Sequence, residues 1–181
     1  MLLIILKMSA ITLGISVLTV LLWVYLRDKK MNWSIRILLV VIYSMCAILS
    51  THYGVDYSHM LINVRDMGPL CAGLFFDPLA GIIAGVIGGI ERYIAGAYWG
   101  IGSYTKVACS VSTGLSGFVA AFMSIFIFKR KKPSATYAFF MGAVMEVFHI
   151  AVVDPGIVKF NLYIGGAHSL CILSYKLALM L

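Results

Sequence analysis

The chain has 181 residues, of which 62% are hydrophobic and only 12% are charged, and its mean hydropathy is +1.00. Soluble domains carry about 25% charged residues, so this composition excludes an ordinary soluble domain and is typical of a polytopic membrane protein. The net charge of +7 does not indicate nucleic-acid binding, because the basic residues are grouped between apolar segments, as in membrane proteins of defined topology.

The cysteines and the N-terminus carry no sign of a secreted, disulfide-bonded protein. The four cysteines lie within apolar segments and form no C-x-x-C pair, so neither a disulfide framework nor a zinc site is predicted. The N-terminus is apolar from the start and has no small-residue cleavage site before Arg27, which indicates a retained helix rather than a signal peptide. We expect one transmembrane domain over residues 1–181, without a soluble domain.

The apolar segments predict an all-α membrane protein, a polytopic bundle of about seven transmembrane helices. The first helix, at about residues 1–26, is one apolar run that is long enough to cross about 30 Å of hydrocarbon. The other six are predicted at about residues 33–50, 57–76, 79–98, 105–128, 135–153 and 158–181.

The break at Phe76-Asp77-Pro78 decides the helix count. Pro78 lacks an N–H and disfavours helix at the preceding residue, whereas Asp77 can cap the helix that follows. Without this break, the basic run at 129–132 would lie outside, contrary to the positive-inside rule. With it, the N-terminus lies outside and the C-terminus lies in the cytoplasm. The basic residues predicted on the cytoplasmic side are Arg27, Lys29, Lys30, Arg36, Lys129, Arg130, Lys131 and Lys132.

The third predicted helix is the least regular, because it is short and carries Arg65, Asp66 and Pro69. We expect it to be tilted, broken or partly re-entrant, since non-helical backbone is tolerated at membrane depth where protein buries it.

Two arginines, Arg65 and Arg92, lie in otherwise apolar, glycine-rich sequence. An arginine in hydrocarbon costs a few kcal/mol or more, on the order of 2.5–3.5 even on insertion scales, so it indicates a functional site. At 1.5 Å per residue, the two arginines fall about 12 and 9 Å below the outer helix ends, and Cys109 and Ser112 fall about 6 and 10 Å below. Further polar residues of this outer layer are Glu91, Glu146, His149 and His168. An arginine binds a carboxylate or phosphate bidentately, so the layer predicts a pocket for a small anion that opens outwards.

Other interpretations of these residues compete with the anion pocket. The arginines would form structural ion pairs, such as Arg65 with Glu146 or Arg92 with Glu91. Glu146-x-x-His149 places two metal-ligand types on one helix face, but one such pair does not predict a metal site. No general base is marked near Cys109, so a catalytic site is not predicted. The glycines at 81, 85 and 89 form a small-xxx-small ladder that is typical of helix packing.

The motifs resemble the LytS-type transmembrane receptor domain, the sensory half of LytS-like and BtsS-like histidine kinases and of some diguanylate cyclases. The pattern is N-x-R-x-x-G-P, then P-x-x-G-x-x-x-G-x-x-G-G-x-x-R-Y, then C-x-x-S-T-x-x-x-G. The matching residues are Asn63, Arg65, Gly68, Pro69, Pro78, Gly81, Gly85, Gly88, Gly89, Arg92, Tyr93, Cys109, Ser112, Thr113 and Gly117. Glu146, His149, Pro155, Asn161 and Gly165 match more weakly. The resemblance covers about residues 33–181, which leaves the helix at 1–26 peripheral.

The resemblance implies a seven-helix sensor whose last helix drives a dimeric cytoplasmic output domain, a histidine kinase or a diguanylate cyclase, that is absent from this chain. It also implies that Arg65, Arg92, Cys109 and Ser112 bind a pyruvate-like carboxylate. Supporting roles are assigned to Asn63, Asp66, Glu91, Glu146 and His149. The chain departs from the family pattern by extra residues at about 97–106, which we expect to form a lid or a differently shaped mouth, and by Asp77 in place of a small residue.

The leading hypothesis is therefore a non-enzymatic receptor domain in the bacterial inner membrane, multi-pass and without cofactor or metal. Its expected partners are a small extracellular carboxylate, membrane lipid, a second copy of the chain and, through the output domain, a response regulator. The alternative is a small-solute transporter or a substrate-binding membrane subunit, such as the S component of a vitamin importer. The polar layer disfavours transport, because it reaches only one face. A purely structural assembly protein would explain the glycines but not the arginines.

Overall fold

Four of the helices in the described part of the chain are long and apolar enough to cross a membrane. The structure, a computed structural model, describes residues 2–57, 60–129, 131 and 133–148. The candidate spans within it are Leu6–Leu26, Trp33–His52, Pro78–Tyr98 and Lys106–Ile127. The helical membrane fold is thus confirmed, and four of the predicted spans with it. The predicted seventh helix, His149 and His168 lie outside the described residues, so the count of seven and the orientation of the termini stay predictions.

The helices follow the apolar segments closely at most of their ends. Helix α1 spans Leu2–Leu26, α2 spans Trp33–His52, and α4 spans Pro78–Tyr98. Helix α5 spans Lys106–Phe122 and continues as a π-helical segment at Met123–Ile127. Helix α6 spans Ala135–Phe148.

The third helix differs from the prediction, which placed it at 57–76. A short antiparallel hairpin, β1 (Val55–Tyr57) and β2 (Met60–Ile62), occupies the first part of this range. Helix α3 begins only at Met67, runs to Cys71 and continues as a π-helical segment at Ala72–Phe76. Ten residues span only about 15 Å, roughly half of the hydrocarbon thickness. The structure therefore supports the prediction that this segment is broken, and a re-entrant course stays a prediction.

Pro69 explains the late start of α3. A proline has no N–H and its ring clashes with the carbonyl four residues earlier, so it is tolerated only in the first turn of a helix. That carbonyl belongs to Arg65, which instead accepts a 3.2 Å hydrogen bond from the Gly68 N–H in a tight turn. Arg65 and Asp66 therefore lie in a turn, and the predicted depth of Arg65 within a continuous helix is wrong.

The turn between α3 and α4 confirms the predicted break at Asp77-Pro78. Asp77 has an extended backbone, with φ −146° and ψ 126°, and its Oδ2 accepts a 3.0 Å hydrogen bond from the Ala80 N–H. Pro78 occupies the first helical position, where its missing N–H costs nothing. The two helices form a hairpin within the bundle.

Glycines allow α4 to pack directly against α5 and α3. A Cβ built on Gly85 would lie 2.9 Å from the Thr113 carbonyl oxygen, and one on Gly89 would lie 2.7 Å from the Ser110 carbonyl oxygen. A Cβ on Gly81 would lie 2.5 Å from the Cα of Gly73 in the π-helical segment that continues α3. Such close backbone approach gains dispersion contact where lipid supplies no hydrophobic driving force. This packing fixes the α3–α4–α5 unit, which carries the candidate site.

Candidate functional site

Arg65 lies almost completely buried in the turn before α3 and reaches across to α5. Arg65 is only 1% exposed. This burial is unusual, because arginine is almost never fully buried without a partner. Nε donates to the Thr113 hydroxyl at 2.5 Å, and Nη2 donates to the Cys109 carbonyl at 3.1 Å. Nη1 donates to the Thr51 hydroxyl of α2 at 3.5 Å. Arg65 thus ties the turn before α3 to helices α2 and α5.

Asp66 compensates the charge of Arg65. Its Oδ1 lies 3.8 Å from Arg65 Nε. Its carboxylate also accepts hydrogen bonds from the Ser112 hydroxyl at 2.8 Å and the Thr113 hydroxyl at 2.7 Å. The single Thr113 proton has a second acceptor, the Cys109 carbonyl at 2.9 Å, so it is shared between the two acceptors. A buried ion pair needs such added hydrogen bonds to offset the desolvation of its charges.

Arg65 therefore takes part in an internal ion pair, as one of the competing interpretations predicted, and its partner is Asp66. The Glu146 side chain lies outside the described part of the chain, so its predicted pairing with Arg65 stays untested. The hydrogen bond from Ser112 to Asp66 was not foreseen. It gives Ser112 a supporting contact to the arginine network rather than an open hydroxyl.

Arg92 is completely buried on α4, and its hydrogen bonds to described residues are to neutral acceptors. Nη1 donates to the Ile101 carbonyl at 2.6 Å, and Nη2 donates to the Gly102 carbonyl at 2.8 Å. The Thr105 hydroxyl lies 3.4 Å from Nη2. Nε is buried without a hydrogen-bond partner among the described residues. A full charge is thus held by neutral dipoles, with one donor unused.

The loop that holds Arg92 is the segment predicted as an insertion. Two glycines in the left-handed region, Gly100 at φ 69° and Gly102 at φ 51°, bend the chain after α4. The Ile101 N–H donates back to the Ala95 carbonyl at 3.2 Å, which turns the carbonyls of residues 101 and 102 onto Arg92. We call residues 99–105 the outer loop. Backbone acceptors carry no side-chain signal, so the loop was predictable from the sequence but these hydrogen bonds were not.

Cys109 lies between the two arginines. Its backbone carbonyl accepts a hydrogen bond from Arg65, and its buried thiol is in contact with the Arg92 side chain. The positive charge of Arg65 also repels that of Arg92. The structure therefore brings together the four residues predicted to bind the ligand, namely Arg65, Arg92, Cys109 and Ser112, on the α3–α4–α5 unit.

The carboxylate of Glu91 lies next to His52 rather than next to Arg92. Its Oε1 lies 3.0 Å from His52 Nε2 at the end of α2, and both carboxylate oxygens are buried without hydrogen-bond geometry to any described residue. The His52 ring in turn lies 5.3 Å from the Trp99 ring, between centroids. Within the described ranges, Arg92 and Glu91 interact electrostatically but form no salt bridge. His52 was missed by the sequence interpretation, because it precedes a polar loop.

Two remaining supporting predictions have different outcomes. Asn63 joins the turn through its Oδ1, which accepts from the Arg65 N–H at 3.3 Å, and its Nδ2 is buried without a described partner. The pair Glu146 and His149 cannot be placed, because the Glu146 side chain and all of His149 lie outside the described part. Among described residues, no group of three or more His, Cys, Asp or Glu side chains is arranged to hold a metal ion.

Comparison with known proteins supplies the family. The family described as 5TMR of 5TMR-LYT matches residues 19–164. The chain is 35% identical over 91 residues to the sensor histidine kinase YpdA of Escherichia coli and 33% identical over 99 residues to the sensor protein LytS of Bacillus anthracis. It is 24% identical over 102 residues to the sensor histidine kinase BtsS of Escherichia coli. No solved structure matches the chain.

These alignments cover 50%, 55% and 56% of the chain, but only 15%, 15% and 17% of the three relatives. The chain thus spans less than a fifth of the length of each. The family match confirms the resemblance drawn from the two-arginine motifs, and the four apolar helices agree with a multi-pass protein. The chain belongs to the 5TMR-LYT family and is a LytS-type, multi-pass sensor domain of the bacterial inner membrane.

Proposed function

We propose that the chain is a receptor domain that binds a small, pyruvate-like carboxylate at Arg92, with Arg65, Cys109 and Ser112 around it. The observation that carries the proposal is the unequal compensation of the two arginines. Arg65 has the carboxylate of Asp66 at 3.8 Å, whereas the hydrogen-bond acceptors of Arg92 are two backbone carbonyls and a hydroxyl. Glu91 acts on Arg92 only through space, so none of the described hydrogen-bond acceptors of Arg92 carries a full negative charge.

A carboxylate fits this deficit better than a neutral ligand does. Hydrogen bonds between a guanidinium and a carboxylate are roughly twice as strong as neutral ones, and the planar fork binds both oxygens at once. The unused Arg92 Nε adds a third donor at the same group. The Cys109 thiol, in contact with Arg92, offers a weak donor to a ketone or hydroxyl next to the carboxylate.

Arg65 acts mainly as a positioning residue in this proposal. Its bonds to Thr113 and the Cys109 carbonyl hold α5 at the level of Arg92. Its charge raises the local positive potential and favours an anion over a neutral solute. Ser112 would reach a ligand only by leaving Asp66, so we assign it to the same supporting network.

The signal begins with an exchange of acceptors at Arg92. An incoming carboxylate takes the Nη1 and Nη2 donors from Ile101 and Gly102, and the outer loop is released from α4. Since α4 packs on α5 through glycines, the exchange shifts the population between two arrangements of the unit rather than deforming it continuously. We propose that the last helix passes this shift to a cytoplasmic output domain.

The output is inferred from the relatives, whose names describe sensor histidine kinases. We propose that the whole protein is a homodimeric kinase with a response regulator as partner, and a diguanylate cyclase is the alternative output. The relatives named above are described as sensors, which favours a receptor over a transporter.

Thermal unfolding of the purified chain with a panel of small carboxylates tests the proposal. Pyruvate, lactate and acetate are compared with pyruvamide, which keeps the shape of pyruvate but lacks its charge. A ligand at 100 times its dissociation constant stabilises the native state by about 2.7 kcal/mol. We expect stabilisation by a carboxylate, none by pyruvamide, and none by a carboxylate in Arg92→Gln. Arg27→Gln, which changes an exposed arginine, is the matched control and should respond like the wild type. Equal stabilisation of Arg92→Gln would refute a site at Arg92.

A further inference from the structure

A cavity with both polar and apolar lining lies at the end of α4 opposite Arg92. It has a volume of about 280 Å³, and Met31, Arg36, Phe75, Asp77, Pro78 and Ser124 are among its lining residues. We call it the Arg36 cavity. Its walls come from the α1–α2 loop, the start of α2, the α3–α4 turn and the π-helical end of α5. None of the residues assigned to carboxylate binding contributes to it.

Arg36 and Asp77 form an ion pair in the wall of this cavity. Arg36 Nε donates to Asp77 Oδ2 at 2.8 Å, and Nη2 donates to Oδ1 at 3.2 Å. The Arg36 side chain is still 24% exposed, and Nη1 makes no hydrogen bond to a described residue. The guanidinium therefore presents a free edge to the cavity. A further anion can bind that edge without first breaking the pair.

The surroundings favour an anion that has an apolar part. The cavity combines this guanidinium with Met31, Phe75 and Pro78, so polar and apolar surface are both offered. Trp33, whose ring lies 4.7 Å from the Arg36 guanidinium carbon, is 67% exposed, as an aromatic side chain at a membrane–water interface is. The exposed Lys29 and Lys30 precede α2 and add positive charge at the same end.

We propose that the Arg36 cavity binds the phosphodiester headgroup of an anionic phospholipid, such as phosphatidylglycerol. The phosphate oxygens accept from the free edge of Arg36, and the glycerol backbone lies against Phe75. Basic pockets between membrane helices are known to hold such headgroups. The cavity volume of about 280 Å³ suits a headgroup rather than a whole lipid, since pockets for drug-sized ligands measure about 300–1,000 Å³.

Asp77 should weaken the binding of the lipid phosphate, so its replacement should act in the opposite direction to a replacement of Arg36. Its negative charge repels a phosphate at the free edge of Arg36, and it also caps α4 through its bond to the Ala80 N–H. Asparagine caps a helix about as well as aspartate does. Asp77→Asn therefore keeps the cap and removes the repelling charge, so it should strengthen binding of the anionic lipid. Arg36→Gln should weaken it.

Native mass spectrometry of the full chain tests this directly. The chain is released from mixed micelles that contain equal amounts of phosphatidylglycerol and phosphatidylethanolamine, and the retained lipids are counted. We expect preferential retention of phosphatidylglycerol, a loss of about tenfold in Arg36→Gln and a gain of several-fold in Asp77→Asn. Arg27→Gln, an exposed basic residue outside the cavity, should retain the wild-type preference.

Two outcomes would overturn the proposal. If Arg36→Gln and Asp77→Asn both reduce retention to the same degree, the ion pair only holds the helices together. If soluble glycerol phosphate at the same concentration protects the chain from thermal unfolding as well as the lipid does, the site takes a free phosphate ester and not a membrane headgroup. Because Asp77→Asn keeps the helix cap, a folding defect in Arg36→Gln leaves the test intact.

Discussion

Arg65 Nε donates a 2.5 Å hydrogen bond to the Thr113 hydroxyl, which joins the turn before α3 to the middle of α5. The two residues are 48 positions apart, and the same hydroxyl also serves Asp66 and the Cys109 carbonyl. The contact places a charged group, its counter-charge and a helix backbone in one buried network. Such a network is strongly stabilising only when every member is present.

The first prediction concerns Asp66. In Asp66→Asn the buried Arg65 loses its counter-charge, and removal of one partner from a buried pair costs about 3–5 kcal/mol. We expect a fall of this order in the free energy of unfolding, measured by denaturant titration in detergent. Ser112→Ala removes one hydrogen bond and should cost about 1–3 kcal/mol, since it leaves one Asp66 oxygen less well satisfied.

The control for this prediction is Asp28→Asn, which makes the same chemical change at an exposed residue of the α1–α2 loop. It should leave the free energy of unfolding within about 0.5 kcal/mol of the wild type. Equal values for Asp66→Asn and Asp28→Asn would show that Asp66 does not compensate Arg65.

The second prediction concerns the contact between α4 and α5. A Cβ at Gly89 would lie 2.7 Å from the Ser110 carbonyl oxygen, and backbone cannot yield as a flexible side chain does. Overpacking of this kind costs about 1–3 kcal/mol, so Gly89→Ala should lower the unfolding midpoint. Gly14→Ala is the matched control, because a Cβ there meets nothing within 4 Å. A Gly89→Ala variant as stable as Gly14→Ala would contradict the close approach.

The sequence predicted the parts of this fold that depend on local chemistry. The Asp77-Pro78 turn was predictable because a proline and a capping carboxylate act on their own backbone. The start of α3 was predicted ten residues too early, since hydropathy alone does not register the conflict between Pro69 and the Arg65 carbonyl. The four candidate ligand residues came from the family motif, and the structure brings them together although the depth predicted for Arg65 assumed a continuous helix.

The partners of those residues were less predictable. The pairing of Arg65 with its neighbour Asp66 was not predicted, because it depends on the turn in which both residues lie. The acceptors for Arg92 are the carbonyls of Ile101 and Gly102, and every residue has such a carbonyl. Only the folded loop shows which ones are turned inwards.

The third prediction separates charge from geometry at Arg92. Lysine keeps the positive charge in Arg92→Lys, but its ammonium lacks the planar fork of donors that binds both oxygens of a carboxylate. We expect the carboxylate to bind at least about tenfold more weakly to this variant, which corresponds to about 1.4 kcal/mol. Isothermal titration with the carboxylate that stabilises the wild type measures the change. Unchanged affinity would mean that only the charge of Arg92 matters.

The fourth prediction tests whether the outer loop competes with the ligand. Gly100 has a φ of 69°, and a Cβ there would meet nothing within 4 Å, so Gly100→Ala adds backbone strain without a steric clash. An L-residue in this region costs about 1–2 kcal/mol. If the ligand releases the loop from Arg92, the strain is relieved on binding. The carboxylate affinity should then rise by about fivefold or more, since about 1.4 kcal/mol is a factor of ten.

Gly114→Ala is the control for this last change, because Gly114 lies in α5 and also has open space around its Cα. It should leave the affinity unchanged. A lower affinity in Gly100→Ala would mean that the loop carbonyls help to form the bound state, so that the outer loop closes over the ligand instead of giving way to it. The two results assign opposite roles to the bonds between Arg92 and the carbonyls of residues 101 and 102, and one titration distinguishes them.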